Sequence, residues 1–281
     1  MPTAASPLPR GSNLLIARAY IEWVASKACI FCGGTPLTRE HLWPDWLRRE
    51  LEIKAGFDWR MQQESDGTTT RDQAWTAPPF NQQVKAVCAR CNNGWMSEIE
   101  SAAKPILQAL VRAEGRQLHR RMQRTLATWA FLKACIFDEL HPAERTVPEA
   151  HRQFLYEHKE PPPDGVWIRV ATYEARDIGH YAYQGIRLGK RGEPEPAEVT
   201  VYFVTMTAVA LVLQVTGSLL DEWRFKDVPY PDEFAVAEIW PSSARVDFKQ
   251  RNLLTHETLI GFTKALYNVM GSLTAPVPRP L

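Results

Sequence analysis

This 281-residue sequence has almost no excess charge, with 33 Lys and Arg against 32 Asp and Glu. A near-neutral chain lacks the global field that attracts a protein to a polyanion, so contact with nucleic acid would have to come from local basic patches. The first twelve residues contain three prolines and no apolar run, and no later run is long enough to span a bilayer. We therefore expect a mobile segment over 1–12 and no membrane contact.

Cysteine is scarce, but four of the five cysteines form two C-x-x-C pairs, Cys29 with Cys32 and Cys88 with Cys91. Four thiolates are the ligand set of a structural zinc ion, and free thiols point to a reducing compartment, which we take to be the cytoplasm. One C-x-x-C pair could instead be coincidental or redox-active, and the two pairs lie farther apart than in compact zinc fingers. Neither pair lies in a β-α-β setting, which disfavours redox chemistry. Cys135 falls in an apolar helical run and is expected to be a buried thiol.

Polar residues stand between and just after the two pairs. Glu40 and His41 adjoin, Pro44 follows, and Asn92 and Asn93 come directly after the last cysteine. This pattern resembles the motif region of the HNH, or ββα-metal, endonucleases, in the four-cysteine variant of the phage endonuclease VII type. The resemblance covers roughly residues 28–103. Glu stands here where Asp is commoner in that family.

The resemblance implies phosphodiester hydrolysis, with DNA as the first expectation and RNA left open. His41 resembles the general base, while Glu40 and Asn92 resemble ligands of a catalytic divalent ion, Mg²⁺ or a similar metal. Asn93 is the fallback for Asn92, and Asn81 is the nearest candidate for the family's middle Asn. The cysteines would hold a separate, structural Zn²⁺. Glu98 or Glu100 could also reach the catalytic ion, although acids in a first helical turn usually favour the helix dipole.

A basic edge follows the motif region, formed by Arg112, Arg116, His119, Arg120, Arg121 and Arg124. Guanidinium groups donate in pairs to phosphate oxygens, so the arginines are candidates for contact with a nucleic-acid backbone. An ordinary solvated helix face is the alternative interpretation.

The fold class expected is α+β: a zinc-stapled ββα-metal module with long helices, then an α+β region with an antiparallel sheet. We divide the chain into a mobile segment 1–12, the module 13–112, a helical connector 113–160 carrying the basic edge, and a C-terminal domain 161–281. Periodicity predicts helices over 13–28, 45–51, 92–111, 117–140, 147–157 and 255–270. It predicts a hairpin of 57–62 with 69–75, and strands over 84–87, 167–173, 180–188 and 199–215, the last bent or paired near Thr207.

Two functions remain open at this stage. One is a metal-dependent endonuclease centred on His41. The other is a zinc-stapled nucleic-acid or protein binding module whose HNH centre is inactive. The C-terminal domain carries no assignable motif and could read target sequence, form a homodimer or bind a regulator.

Overall fold

The computed structural model describes residues 28–50, 57–65, 68–77, 82–112, 114, 117–142, 145–174, 178–188, 198–208, 210–220, 236–243, 245–247 and 254–274. The predicted mobile segment over 1–12 and all of the first predicted helix except Ala28 lie outside these residues. Asn81 and Arg116 also lie outside them.

The cysteine-containing region is built from four strands, one helix between the first two of them and a helical run after the last. Its elements are β1 (Leu37–His41), α1 (Asp45–Glu50), β2 (Phe57–Ser65), β3 (Thr68–Ala77), β4 (Gln83–Cys88), α2 (Ala89–Cys91), a π-helical segment (Asn92–Met96) and α3 (Ser97–Val111). β1 and β4 pair antiparallel, with Leu37 opposite Cys88 and His41 opposite Gln83. The helix predicted from 92 is confirmed as far as 111, but it starts at Ala89 and is irregular at Gly94.

The rest of the chain alternates helices with longer strands. Its elements are β5 (Gln117–His119), α4 (Arg120–Phe137), α5 (Glu149–His158), β6 (Val166–Thr172), β7 (Ile178–Ile186), β8 (Val201–Ala208), β9 (Leu211–Ser218), β10 (Ala237–Trp240), β11 (Arg245–Asp247) and α6 (His256–Thr274). The helix predicted over 117–140 is shorter, because residues 117–119 pair with β11 and 138–140 form a 3₁₀ turn. The apolar run 199–215 is confirmed as two paired strands that meet just after Thr207.

One seven-stranded sheet, in the order β10-β6-β9-β8-β7-β2-β3, joins both parts of the chain. The predicted hairpin is confirmed as β2 paired antiparallel with β3. It adds to the sheet through β2, which lies parallel to β7, while the other pairs are antiparallel. The division at residue 161 stays a prediction, although this sheet takes strands from both sides of it.

Both faces of the sheet are covered, which explains the near-continuous apolar sequence of its central strands. Ile168, Val204 and Leu213 share one buried cluster with Trp129 and Phe137 of α4. On the other face, Trp167 and Phe203 pack with Leu266 and Met270 of α6. Helices and antiparallel strands are thus combined as the α+β expectation requires. Within the described part of the chain, none of the helices has the length and apolarity needed to cross a membrane.

Candidate metal centre and the adjoining cavity

The two cysteine pairs meet in the structure. The sulfur atoms of Cys29, Cys32, Cys88 and Cys91 all lie within 4.8 Å of one another, and the Cys32 and Cys88 sulfurs are 3.5 Å apart. A zinc ion with Zn–S bonds of about 2.3 Å needs tetrahedral S···S edges of about 3.8 Å. All four thiols are free of disulfides. The predicted ligand set is therefore brought together, and this donor set could hold a metal such as zinc.

Local backbone geometry shapes the first pair. Gly33 has a positive φ of 67°, a conformation that a residue with a Cβ rarely adopts. The Gly33 N–H donates to the Cys29 carbonyl at 2.9 Å, and the Cys29 N–H donates to the Gly34 carbonyl at 3.0 Å. A Cβ on Gly34 would lie 3.2 Å from the Cys32 sulfur and 3.6 Å from the Cys88 sulfur. Two glycines therefore let the backbone fold around the sulfur cluster.

The thiols of Cys29, Cys32 and Cys91 differ in pKa. Burial alone would raise the pKa of Cys32, but hydrogen bonds from the Gly34 backbone and from the side chains of Cys88, Arg90 and Cys91 lower it to about 6. Burial raises the pKa of both Cys29 and Cys91. A cluster with one readily formed thiolate and three buried thiols is suited to a cation, because metal coordination deprotonates the remaining sulfurs.

Aromatic rings pack beside the sulfur cluster. The Phe31 and Trp95 rings meet edge to face with centroids 5.0 Å apart, and Tyr156 of α5 lies against Trp95 at 6.1 Å. The Lys159 ammonium lies over the Trp95 and Tyr156 rings at 4.6 and 4.3 Å. These contacts attach the cysteine region to α5.

A cavity of about 370 Å³ lies at the end of β1, between α1 and the helix that begins at Ala89. Its lining includes the four residues singled out by the HNH resemblance on the described chain, Glu40, His41, Asn92 and Asn93. Glu100 also lines it, together with the cations Arg49 and Lys104. Residues more than fifty positions apart in sequence are thus brought to one cavity.

Glu40 is paired with a buried lysine. The Lys133 Nζ donates to Glu40 Oε1 at 2.9 Å and to the His41 carbonyl oxygen at 3.1 Å. Glu100 Oε2 lies 3.7 Å from the same ammonium. The Lys133 side chain is only 1% exposed, compared with 12% for Glu40. A charge this deeply buried is stable only when it is paired and hydrogen-bonded.

His41 is half-buried and its ring touches the strand opposite. Its Nε2 lies 2.6 Å from the side-chain amide nitrogen of Gln83, its cross-strand partner in β4. As the amide is placed, its nitrogen donates to Nε2; a 180° rotation of the amide would instead bring its oxygen to Nε2–H and leave Nδ1 without a proton.

Asn92 is held by β1. Its Nδ2 donates to Thr38 Oγ1 at 3.2 Å and to the Arg39 carbonyl at 3.3 Å. Since the donor end of the amide is used in this way, the carbonyl oxygen Oδ1 is the atom suited to a cation. Asn93 lines the same cavity and is exposed.

The basic edge is only partly engaged with acids. Arg112 pairs with Glu50, and Arg124 Nε lies 3.2 Å from Glu160. Arg120 and Arg121 are exposed in the first turn of α4, where the helix dipole disfavours cations. The structure does not bring any described residue of this edge into the lining of the cavity.

Sequence reasoning missed Lys133 and Gln83. Lys133 was a detectable anomaly, because it is the one cation in the apolar stretch 126–137 of α4. Gln83 carried no signal until the register of β1 against β4 was known.

Comparisons of this chain with models of protein families, with curated proteins and with solved structures return no match. The functional argument therefore depends on the site itself.

Proposed function

We propose that this protein is a metal-dependent nuclease of the HNH type, which hydrolyses phosphodiester bonds and is expected to act on DNA. The observation that carries the proposal is the meeting of Glu40, His41 and Asn92 in one cavity. The strand–strand–helix order of β1, β4 and α2–α3, with a four-cysteine cluster at the start of the helix, supports it.

His41 is suited to the role of general base. If the Gln83 amide presents its oxygen to Nε2–H, this contact holds the ring in one orientation, and the unprotonated Nδ1 accepts a proton from water. Gln83 thereby takes the part of a propping amide for which Asn81 was the sequence candidate. The hydroxide formed beside Nδ1 attacks the phosphorus atom, and the P–O bond to the 3′ oxygen breaks.

Glu40 and Asn92 are the residues that would hold a divalent ion such as Mg²⁺. Oxygen donors on a carboxylate and an amide are the ligands this class of ion prefers. When bound, such an ion stabilises the charge that develops on the leaving oxygen. Arg49 and Lys104 at the cavity wall supply positive charge for the phosphate groups.

A second candidate function is a nucleic-acid or protein binding module with an inactive centre. The specific observation favouring it is the Lys133 ion pair, because an ammonium already balances the Glu40 charge that a metal would use. Under this alternative the cysteine cluster and the basic edge remain useful, while the cavity performs no chemistry.

The test is cleavage of supercoiled, linear, branched and single-stranded substrates with Mg²⁺, Mn²⁺ and Ni²⁺. We expect His41→Ala to reduce the rate by about a hundredfold or more with zinc content and nucleic-acid affinity unchanged, since a general base acts on the chemical step. His158→Ala is the matched control, because His158 is exposed at the end of α5, outside the cavity lining.

An inactive wild-type protein that still binds nucleic acid would favour the binding module. Undiminished cleavage by His41→Ala would place the active centre on other residues.

A further inference from the structure

We infer that Lys133 is a positioning residue for the metal ligand Glu40: it holds one carboxylate oxygen and the His41 carbonyl, and so presents the second oxygen of Glu40 to the divalent ion. This inference rests on the proposed function, because it assigns a role inside the same site. Nothing in the motif region itself indicates a residue from α4.

Lys133 lies in a setting that ordinarily excludes lysine. It stands in the buried part of α4, between Leu132 and Ala134, and both neighbours are buried. Burial of an ammonium is costly unless partners compensate for the lost hydration. Its partners are the Glu40 carboxylate, the His41 carbonyl and, farther away, Glu100. Its polar contacts are thus directed to the two residues proposed for catalysis and to a third residue of the cavity lining.

The geometry of the pair leaves half of the carboxylate for a ligand. Lys133 Nζ contacts Oε1 of Glu40, while Glu40 as a whole lines the cavity. Oε2 is therefore the atom through which Glu40 would bind a cation. Hydrogen bonds from a neighbouring residue that orient a ligating carboxylate typically raise the metal affinity of a site by about tenfold to a hundredfold.

The contacts of Lys133 also explain how Glu can serve as a metal ligand at position 40. Glu has one more methylene than Asp and therefore one more rotatable bond to hold in place. The contact with the His41 carbonyl anchors the end of β1 to the same ammonium, so the side chain and its backbone are fixed together. The longer side chain is thus held with one orientation toward the cavity.

Electrostatics alone predicts the opposite consequence for metal binding. Glu40, Glu100 and Lys133 together carry one net negative charge, and removal of the ammonium would leave two. If Lys133 acted only as a charge, its removal would strengthen the attraction of a divalent cation. If it acts by orienting Glu40, its removal weakens binding. The sign of the change therefore separates the two roles.

The experiment measures Mn²⁺ binding to the full chain by the loss of the free Mn²⁺ electron paramagnetic resonance signal, in parallel with the Mn²⁺ dependence of cleavage. We expect Lys133→Met to raise both the dissociation constant and the half-activating concentration by about tenfold or more. Lys133→Gln keeps a donor for Glu40 without the charge and is expected to lie between the wild type and Lys133→Met. Lys264→Met is the matched control, since Lys264 is exposed on α6 and lies outside the cavity lining, and we expect it to change both values by less than about twofold.

If Lys133 acts through Glu40, the effect of replacing Lys133 must depend on the presence of Glu40. In a Glu40→Gln background, Lys133→Met should cause no additional loss of Mn²⁺ binding, because the carboxylate that Lys133 positions is already absent. Zinc content and the thermal unfolding midpoint are measured for each variant, so that a misfolded protein is recognised. If Lys133→Met does not fold, Lys133→Gln carries the test.

Equal or tighter Mn²⁺ binding by a folded Lys133 variant would overturn the positioning role and leave the nuclease proposal intact. A wild-type protein that neither binds Mn²⁺ nor cleaves any substrate would overturn both. An additive loss in the Glu40→Gln background would show that Lys133 acts independently of Glu40 and would overturn the positioning role as well.

Discussion

Buried polar groups occur both around the cavity beside the cysteine cluster and around the seven-stranded sheet, but their hydrogen-bonding partners differ. In the sheet region, Asp138 accepts hydrogen bonds from the backbone of Thr146 and Val147 and from the Thr146 hydroxyl. His151 Nδ1 lies 2.9 Å from the buried Tyr202 hydroxyl. These groups meet protein partners away from the cavity, which is the arrangement expected where polar atoms serve the fold.

In the cavity region, polar side chains instead line an open space. Glu40 and Asn92 each use part of their hydrogen-bonding capacity on the protein and line the cavity as well. The same contrast applies to cysteine: Cys32 has its pKa lowered to about 6 within the cluster, whereas burial raises the pKa of Cys135 in α4. The residue type alone therefore does not separate a candidate functional residue from a core residue, whereas its burial and hydrogen-bonding partners do.

The largest expected effect comes from the sulfur cluster. Cys88→Ser should remove the metal and unfold the region around it, because a structural zinc contributes on the order of 10 kcal/mol to a small module. Elemental analysis and thermal unfolding measure the two effects. Cys135→Ala is the control, and it should retain the metal and lose only about 1 kcal/mol. Metal-free wild-type protein, or unchanged unfolding of Cys88→Ser, would contradict the assignment.

A smaller effect is expected from the buried ion pair. Glu40→Gln leaves Lys133 buried with a weaker partner and should lower the free energy of unfolding by about 3 kcal/mol, whereas the double variant with Lys133→Met should recover part of it. Away from the cavity, Glu160→Gln opposite Arg124 should cost less than about 1 kcal/mol, because the Arg124 side chain is 61% exposed and stays hydrated without its partner. Urea unfolding of these variants gives the values, and equal losses at Glu40 and Glu160 would remove the distinction.

The buried His151 should make the free energy of unfolding depend on pH, by about 3 kcal/mol in all. Burial lowers its pKa from 6.5 to about 4, so the unfolded chain binds a proton that the folded chain rejects between these values. Stability from this group is full above about pH 6.5 and is lost as the pH falls toward 4. Burial raises the pKa of Asp138 to about 6, so this carboxyl group stabilises the folded state as the pH falls and opposes the effect of His151. The His151 contribution is therefore measured as the difference between a His151 variant and the wild type. His151→Gln should become progressively more favourable relative to wild type over this range, and parallel curves would refute the assignment.

The smallest effect concerns the basic edge. Replacing both Arg120 and Arg121 with Ala should change folding stability by less than about 0.5 kcal/mol, because both are exposed. If they bind phosphates, nucleic-acid affinity should weaken equally for unrelated sequences, and the salt slope should fall by about 1 for each phosphate that is no longer bound. Arg124→Ala should have a smaller effect, since Arg124 already pairs with Glu160. Arg187→Ala, an exposed arginine after β7, is the control, and an unchanged slope in the double variant would assign the edge to solvent.

Much of the fold could be predicted because its signals are local. The hairpin of β2 and β3 was predicted from its turn residues, the pair β8 and β9 from a near-continuous apolar run, and the last helix from helical periodicity. The boundaries of α4 were wrong at its start, since residues 117–119 are drawn into a strand by β11, more than a hundred positions away. A propensity pattern contains no information about such a partner.

The sequence by itself determined which residues could ligate metal, because the paired spacing of cysteines and the adjacent Glu40 and His41 are properties of neighbouring positions. The tertiary structure alone decided that Lys133 contacts Glu40, 93 positions away, that Gln83 faces His41, and that the hairpin from the cysteine region extends the sheet beside β7. The physical reason is that these contacts depend on strand register and on the packing of α4. Both are settled only when the whole core is buried together.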